Sequence, residues 1–279
     1  MLPRDSPPQR TVTELPAIAA LRELKESLPE LAPAADLQIE LAQITRRISA
    51  RAPLPALAPT QTRQTRVADG TRVLSFADFR FDWSAVRLAL REVARALESV
   101  GALQNAEVKA AESLVRGETP VLERCLQRWF NGDGSEPISE GLHELLDTAM
   151  RPFMARAASA ALTGVDLAGW NRTTCPACGA EPDFAVIARD GRRHLSCHRC
   201  RAQWPCHPWA CPRCQNDDQS TISSFASRDG FYRIYACGKC RRYLKAFDCR
   251  SAPRPFLAEV DLIATLPLDA AALQKGFTA

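Results

Sequence analysis

Eight of the chain's eleven cysteines fall in four C-x-x-C pairs, Cys175/Cys178, Cys197/Cys200, Cys211/Cys214 and Cys237/Cys240, with 18, 10 and 22 residues between successive pairs. Two residues between cysteines let both thiolates face one tetrahedral site while backbone N–H groups turn toward the sulfurs, so this is metal-site spacing. Cysteines 175–200 and 211–240 read as two copies of one unit. Each opens on a C-P-x-C knuckle, runs through a β-like stretch (Phe184 to Ala188, Thr221 to Ala226), and reaches the same tripeptide, Arg189-Asp190-Gly191 or Arg228-Asp229-Gly230. An Asp-Gly between strand-like runs signals a hairpin, because glycine accepts the positive φ of such turns. A return strand then leads to a second knuckle, CHRC or CGKC. The hairpin brings the second knuckle back to the first, so Cys175, Cys178, Cys197 and Cys200 are expected to hold one ion, and Cys211, Cys214, Cys237 and Cys240 another. An interleaved, cross-braced pairing is the alternative.

Four thiolates in a tetrahedron suit zinc or a single iron, and the spacing does not separate the two. With every position filled by protein, the expected role is structural or electron-carrying, because a hydrolytic metal keeps one position open for water. Modules this small bury little core, so the ion is expected to supply folding free energy on the order of 10 kcal/mol. Cys206, Cys249, His198 and His207 are nearby spares, and the two ligand sets are complete without them.

The elements that must position these sites precede them. Stripes of apolar residues predict helices over Val12 to Leu28 and Asp36 to Ala50, with residues 52–66 as an irregular connection. A strong stripe, Val86, Leu90, Val93 and Leu97, starts from Asp82 and stops at Gly101. Further helices are expected from Asn105 to Arg116, from Thr119 as N-cap with Pro120 at the first position to Asn131-Gly132-Asp133-Gly134, and from Ser139 into the Ala-rich run 155–162, where Pro152 should introduce a kink. Cys125 lies in an apolar stripe and reads as a small buried residue rather than a reactive thiol, and His143 as a helical residue satisfying a local hydrogen bond. The expected architecture is α+β: an α-helical domain over 1–168, four-cysteine ribbons over 169–207 and 208–252, and a tail over 253–279.

Composition sets the limits. The 279 residues are 46% hydrophobic, which fits a folded globular chain. The start, MLPRDSPPQR, reads as neither signal peptide nor anchor, and no apolar run reaches the length of a spanning helix, so a cytoplasmic protein is expected. In that compartment C-x-x-C pairs are expected to bind metal rather than form disulfides. Residues 171–250 carry fourteen Lys/Arg against seven Asp/Glu in a chain of net charge +4. Bound thiolates would lower that local excess of +7 to +3 or +5, which weakens a nucleic-acid role. Candidate partner contacts are Trp204 and Trp209, which either dock a partner or fill the seam between ribbons, and the basic run with Arg241, Arg242 and Lys245. The chain shows no convergent acid, base and nucleophile set, no phosphate-cradling loop and no H-E-x-x-H, so an enzyme is not expected.

The motifs CPACG, RRHLSCHRC, CGKCRRYLKAFD and the closing LIATLPLDAAALQKGF resemble the FdhE family of formate dehydrogenase accessory proteins. The resemblance implies a cytoplasmic, non-enzymatic factor for making active respiratory formate dehydrogenase, in contact with the catalytic subunit before its export. It also implies rubredoxin-like sites that can hold iron, with the eight cysteines as ligands. One departure stands out: CPRCQ has no glycine after the knuckle, which puts that turn in question. A rubredoxin-like electron carrier or redox sensor, or a nucleic-acid-binding ribbon protein, are the alternatives from other classes.

Overall fold

A computed structural model describes residues 15–132, 138–207 and 210–279. Trp209, the N-terminal part of the first expected helix and the Asp133-Gly134 stop lie outside the described residues. The helical part comprises α1 (Pro16–Ser27), α2 (Ala32–Ser49), α3 (Thr60–Ala68), α4 (Trp83–Ser99), α5 (Asn105–Arg116), α6 (Thr119–Asn131) and α7 (Glu140–Leu162). Helix α4 begins where Asp82 accepts hydrogen bonds from the amides of Ser84 and Ala85, at 2.9 and 3.3 Å. Its stripe Val86, Leu90, Val93 and Leu97 is buried against α2 and α7. Helix α6 is capped by Glu118, one residue before the expected Thr119, and ends on Gly132 at φ +68°. Helix α7 runs unbroken past Pro152.

The stretch 52–66 is not wholly irregular, because α3 begins at Thr60. Its composition is poor in apolar residues, and tertiary contact supplies what the sequence lacks. Arg63, 7% exposed, donates to the carbonyls of Ala161 and Thr163 at the end of α7 and to Ala58 O at 3.1 Å. A guanidinium there satisfies carbonyls that α7 cannot pair internally and meets the negative end of its dipole.

Six strands follow: β1 (Pro182–Ile187), β2 (Arg193–Cys197), β3 (Gln203–Pro205), β4 (Ile222–Ala226), β5 (Tyr232–Cys237) and β6 (Tyr243–Asp248). They form one sheet of order β3-β2-β1-β6-β5-β4. Each ribbon is an antiparallel three-stranded unit, and the units join through parallel pairing of β1 with β6, Phe184 opposite Lys245 and Ile187 opposite Asp248. The Asp-Gly turns close hairpins in both, with Gly191 at φ +83° and Gly230 at φ +76°. In the first, the Ala188 amide bonds Arg192 O across a three-residue loop, and in the second the Ser227 amide bonds Tyr232 O across four residues.

The apolar core of α2 to α7 runs without a break into the first ribbon, taking in Cys175, Cys178, Leu195, Cys197 and Trp204. The closing segment folds back as α8 (Ala258–Ala264) and α9 (Leu266–Gln274). Val260 of α8 packs with Leu21 and Ala35 of the first two helices. No helix among the described residues is long and apolar enough to cross a membrane.

Arg63→Ala is expected to lower stability by about 2–3 kcal/mol, the loss for charged hydrogen bonds left unmade at a buried site. Urea unfolding followed by far-UV circular dichroism measures it, with an unchanged slope if only the folded state is affected.

Candidate metal centres

All four knuckles share one backbone conformation. The residue after the second cysteine of each pair is left-handed: Gly179 at φ +81°, Arg201 at +60°, Gln215 at +58° and Arg241 at +59°. Its amide donates to the carbonyl of the first cysteine, at 2.9, 3.1, 2.8 and 2.9 Å in turn. The first cysteine's amide then reaches the carbonyl two residues past the second, from Cys175 to Ala180 O and from Cys211 to Asn216 O, both at 2.8 Å. Gln215 therefore adopts the turn that glycine adopts after the first knuckle, at the steric cost of its Cβ.

This geometry gathers Cys175, Cys178, Cys197 and Cys200 in one cluster and Cys211, Cys214, Cys237 and Cys240 in another, each with sulfurs within 4.8 Å of one another. In the first, Cys175 to Cys200 and Cys178 to Cys197 span 3.5 Å, and in the second, Cys211 to Cys240 and Cys214 to Cys237 span 3.7 Å. Four sulfurs bound about 2.3 Å from one ion stand about 3.8 Å apart, so the clusters fit a tetrahedral tetrathiolate. They are far too open for disulfides, whose sulfurs lie about 2.05 Å apart. The eight cysteines can therefore hold two ions.

The two clusters differ in burial. All four cysteines of the first are buried, whereas in the second Cys214 is exposed and Cys240 half-buried. Without an ion, burial pushes Cys175 well above the ordinary thiol range. Cys197 is also buried, but the three neighbouring thiols donating to it bring it well below that range. At the equivalent position in the second cluster, burial is outweighed by the amides of Cys240 and Lys239, and Cys237 stands at about 7. Burial pushes Cys211 up to about 12. In both clusters the first cysteine of the second knuckle is thus pushed down.

What holds the first cluster is a group that sequence reading missed. Asp147 of α7, 5% exposed, accepts from Trp129 Nε1 at 2.9 Å and Arg199 Nε at 3.1 Å, and pairs with His198 Nε2 at 3.2 Å and His143 Nδ1 at 3.3 Å. His198 and Arg199 are the two residues between Cys197 and Cys200, so the knuckle is fastened to the helices by its own intervening residues. Arg199 also lies over the Trp129 ring at 4.3 Å. Burial alone would raise the Asp147 carboxyl, but the histidine hydrogen bonds and the charges of His198 and Arg199 hold it well below the usual range. The first knuckle is held by backbone: the amides of Val73 and Leu74 donate to Pro176 O and Ala177 O at 2.8 and 2.9 Å. A lone aspartate in the apolar run Leu145-Leu146-Asp147 was the available signal.

Trp204, on the sheet's edge strand β3, is fully buried in the main core that the helices share with the first ribbon, not in a seam between ribbons. Lys245, 8% exposed, sits in the wholly buried strand β6 with its ammonium 2.7 Å from Asp269 of α9, and Tyr243 donates to the same carboxylate. Arg241 lies over the Phe277 ring and donates to Lys275 O, while Arg242 donates to Ala279 O. Trp204 and Lys245 thus present no surface to a partner, and the two arginines fasten the closing segment. His198 is spent on Asp147, Cys206 contacts Arg193 O at 3.6 Å, and Cys125 is partly buried against the core.

With the site described, the chain was compared with known proteins. No family model matches it. A curated FdhE homologue of Shewanella baltica (strain OS185) is 35% identical over 111 residues, 39% of this chain and 36% of the relative. The Aquifex aeolicus (strain VF5) homologue is 32% identical over 115 residues, and that of Pseudomonas aeruginosa 29% over 158. The crystal structure of the FdhE protein from Pseudomonas aeruginosa superposes with a TM-score of 0.63 over 94% of this chain and 90% of that one, at 22% identity. The chain is similar to FdhE proteins in sequence over this part of its length and in fold over most of it. The sequence matches span between about a third and a half of the curated relatives' length, and the structural likeness at that identity shows the fold. The fold shared with that structure is, in this chain, α+β with two four-cysteine ribbons.

Asp147→Asn is expected to cost about 2–4 kcal/mol, because the amide has one accepting oxygen in place of two and no charge, so its NH2 meets two of the groups that Oδ1 and Oδ2 now share. The folded-state carboxyl is depressed, so wild type's margin over the variant is full above the unfolded value near pH 4 and shrinks as pH falls below it. Urea midpoints at pH 7 and pH 3 test this. Gln215→Gly should be neutral to stabilising by up to about 1 kcal/mol, since relief of the left-handed strain exceeds glycine's entropic cost only slightly, as thermal melts of the metal-loaded protein would show.

Proposed function

We propose that this chain is a non-enzymatic accessory factor for making active formate dehydrogenase, in which two ions, iron or zinc, staple a surface that receives the catalytic subunit in the cytoplasm. In this reading residues 1–168 act as scaffold, ribbons 169–207 and 208–252 carry one ion each, and the 253–279 tail braces the second ribbon. The observation that carries it is the closed four-sulfur geometry of both clusters on an FdhE fold: protein fills every coordination position and leaves none for a substrate. When bound, each ion supplies folding free energy, and the chain's own knuckles orient the sulfurs through the amides described above.

Purified protein is expected to hold two ions per chain by elemental analysis. Cys178→Ser should lose one ion and much of the fold, because its cluster lies in the main core. Cys214→Ser should lose one ion and keep the helical signal. Deletion of the gene should abolish formate dehydrogenase activity, and the catalytic subunit should co-purify with wild type; activity untouched by the deletion would overturn the accessory role.

One observation favours a second reading, electron transfer or redox sensing. Cys214 is exposed, so an iron in the second cluster would have a sulfur at the surface through which an electron can pass. Protein purified without oxygen would then show a visible absorption that bleaches and returns on reduction and reoxidation. A zinc-only, redox-silent protein rules this reading out.

A further inference from the structure

One buried side chain beside the second cluster has no counterpart in the first. Asn216 stands two residues past Cys214 and is 6% exposed, with Nδ2 2.7 Å from Thr221 Oγ1 and 3.8 Å from Cys237 Sγ. The matching positions in the first ribbon, two residues past Cys178 and Cys200, are Ala180 and Ala202, whose methyl groups have nothing to donate. The surroundings fix which way the Asn216 amide points. Oδ1 accepts from the Asp218 amide at 3.4 Å, so the NH2 faces the other way. Thr221 Oγ1 spends its own hydrogen on Asp218 O at 2.8 Å and is left to accept from Nδ2. That takes one N–H, and the second faces the sulfur. A flipped amide would set a carbonyl oxygen against a thiolate and an NH2 against an N–H.

The loop that carries this donor is tied to both knuckles of its cluster. Asn216 O accepts from the Cys211 amide and Thr221 O from the Gly238 amide, both at 2.8 Å. The side chain is therefore held in place by the same turns that gather the sulfurs. A hydrogen bond to a thiolate strengthens as the sulfur carries more charge. With iron bound, one electron added to the ferric form takes a four-thiolate centre from a charge of about −1 to about −2 and breaks no Fe–S bond, so a donor at sulfur favours the ferrous form. Cys237 is 2% exposed, whereas Cys214 is exposed and Cys240 half-buried. Water serves the charge on those two sulfurs, and Asn216 serves it where water does not reach.

We propose that Asn216 is a positioning residue of the second metal centre: aimed by Thr221, its amide holds charge on the Cys237 sulfur and so raises the reduction potential of an iron bound there. The inference rests on the reading that each cluster holds one ion, and it goes beyond that reading by naming the residue that tunes one centre and not the other.

The full chain, loaded with iron without oxygen and brought to the ferric form, is titrated with dithionite against redox dyes and followed by its visible absorption. Asn216→Ala, which installs the residue found in the first ribbon, is expected to make one of the two irons about tenfold harder to reduce, a potential about 59 mV lower for one electron, and to leave the other unmoved. Thr221→Val should move the same iron in the same direction, whereas Thr221→Ser, which keeps the hydroxyl, should stay at the wild-type value. Circular dichroism and metal content establish that each variant is folded and holds two ions. A second measurement needs only the wild type and decides the matter should Asn216→Ala lose its ion. With a spin-active cadmium isotope in both centres, a proton–cadmium correlation is expected to link the Asn216 side-chain N–H to one of the two cadmium resonances across the N–H···S bond. Fewer than two ions in the wild type would overturn the two-ion reading and this inference with it. Two ions with an unmoved potential in Asn216→Ala, an equal shift of both irons, or no proton–cadmium link would overturn this inference alone.

Discussion

The Asp147 carboxylate is the interaction on which the arrangement depends. It is buried in α7, and a buried charge is tolerable only when its lone pairs are met. Here the donors come from α6, from α7 itself and from the pair His198-Arg199 inside a cysteine knuckle. The carboxylate that a helix must satisfy is thereby satisfied by the cysteine ribbon. The first cluster consequently forms part of the main core, with its cysteines buried among helical side chains rather than on an appended module.

The second ribbon solves the same problem with different material. Having no helical bundle against it, it is closed by the chain's end: Asp261 of α8, fully buried, accepts from Tyr232 Oη at 2.8 Å and from Arg254 Nη2 at 2.6 Å, and Asp269 of α9 takes Tyr243 and Lys245. Two carboxylates on short helices thus replace the bundle. Cover of this kind is thinner, which is why the equivalent cysteines Cys214 and Cys240 reach solvent. Two copies of one sequence unit end in unequal environments, one suited to holding a fold and the other open to exchange with its surroundings.

The parallel junction of β1 and β6 makes the inequality possible. A twofold pairing of like strands would have given both ribbons the same neighbours. Joining the first strand of one unit to the last strand of the other instead leaves β3 and β4 at opposite ends of one sheet. The core of the helices runs into the first half, and β4 ends the sheet in the second.

Much of this was legible in the residues. C-x-x-C spacing, the repeated Arg-Asp-Gly turn and the 3.6-residue stripes are local signals, and local signals specify the knuckles, the hairpins and helices such as α4 and α5. The left-handed turn at Gln215 is decided by the closure of the knuckle, which overrides the local preference for glycine there. Lys245 read as surface because a cation in sequence reads as solvated, yet a paired ammonium at the end of an apolar stem can be buried, and its partner Asp269 lies 24 residues away. Asp147 was equally silent, since its four donors are spread from Trp129 to Arg199. The sequence by itself therefore determined the grouping of the cysteines and the elements that carry them, both being properties of short stretches. The tertiary structure alone decided which cluster is buried, which cations are occupied and which strand is left at the edge, because each depends on groups far apart in the chain meeting in space.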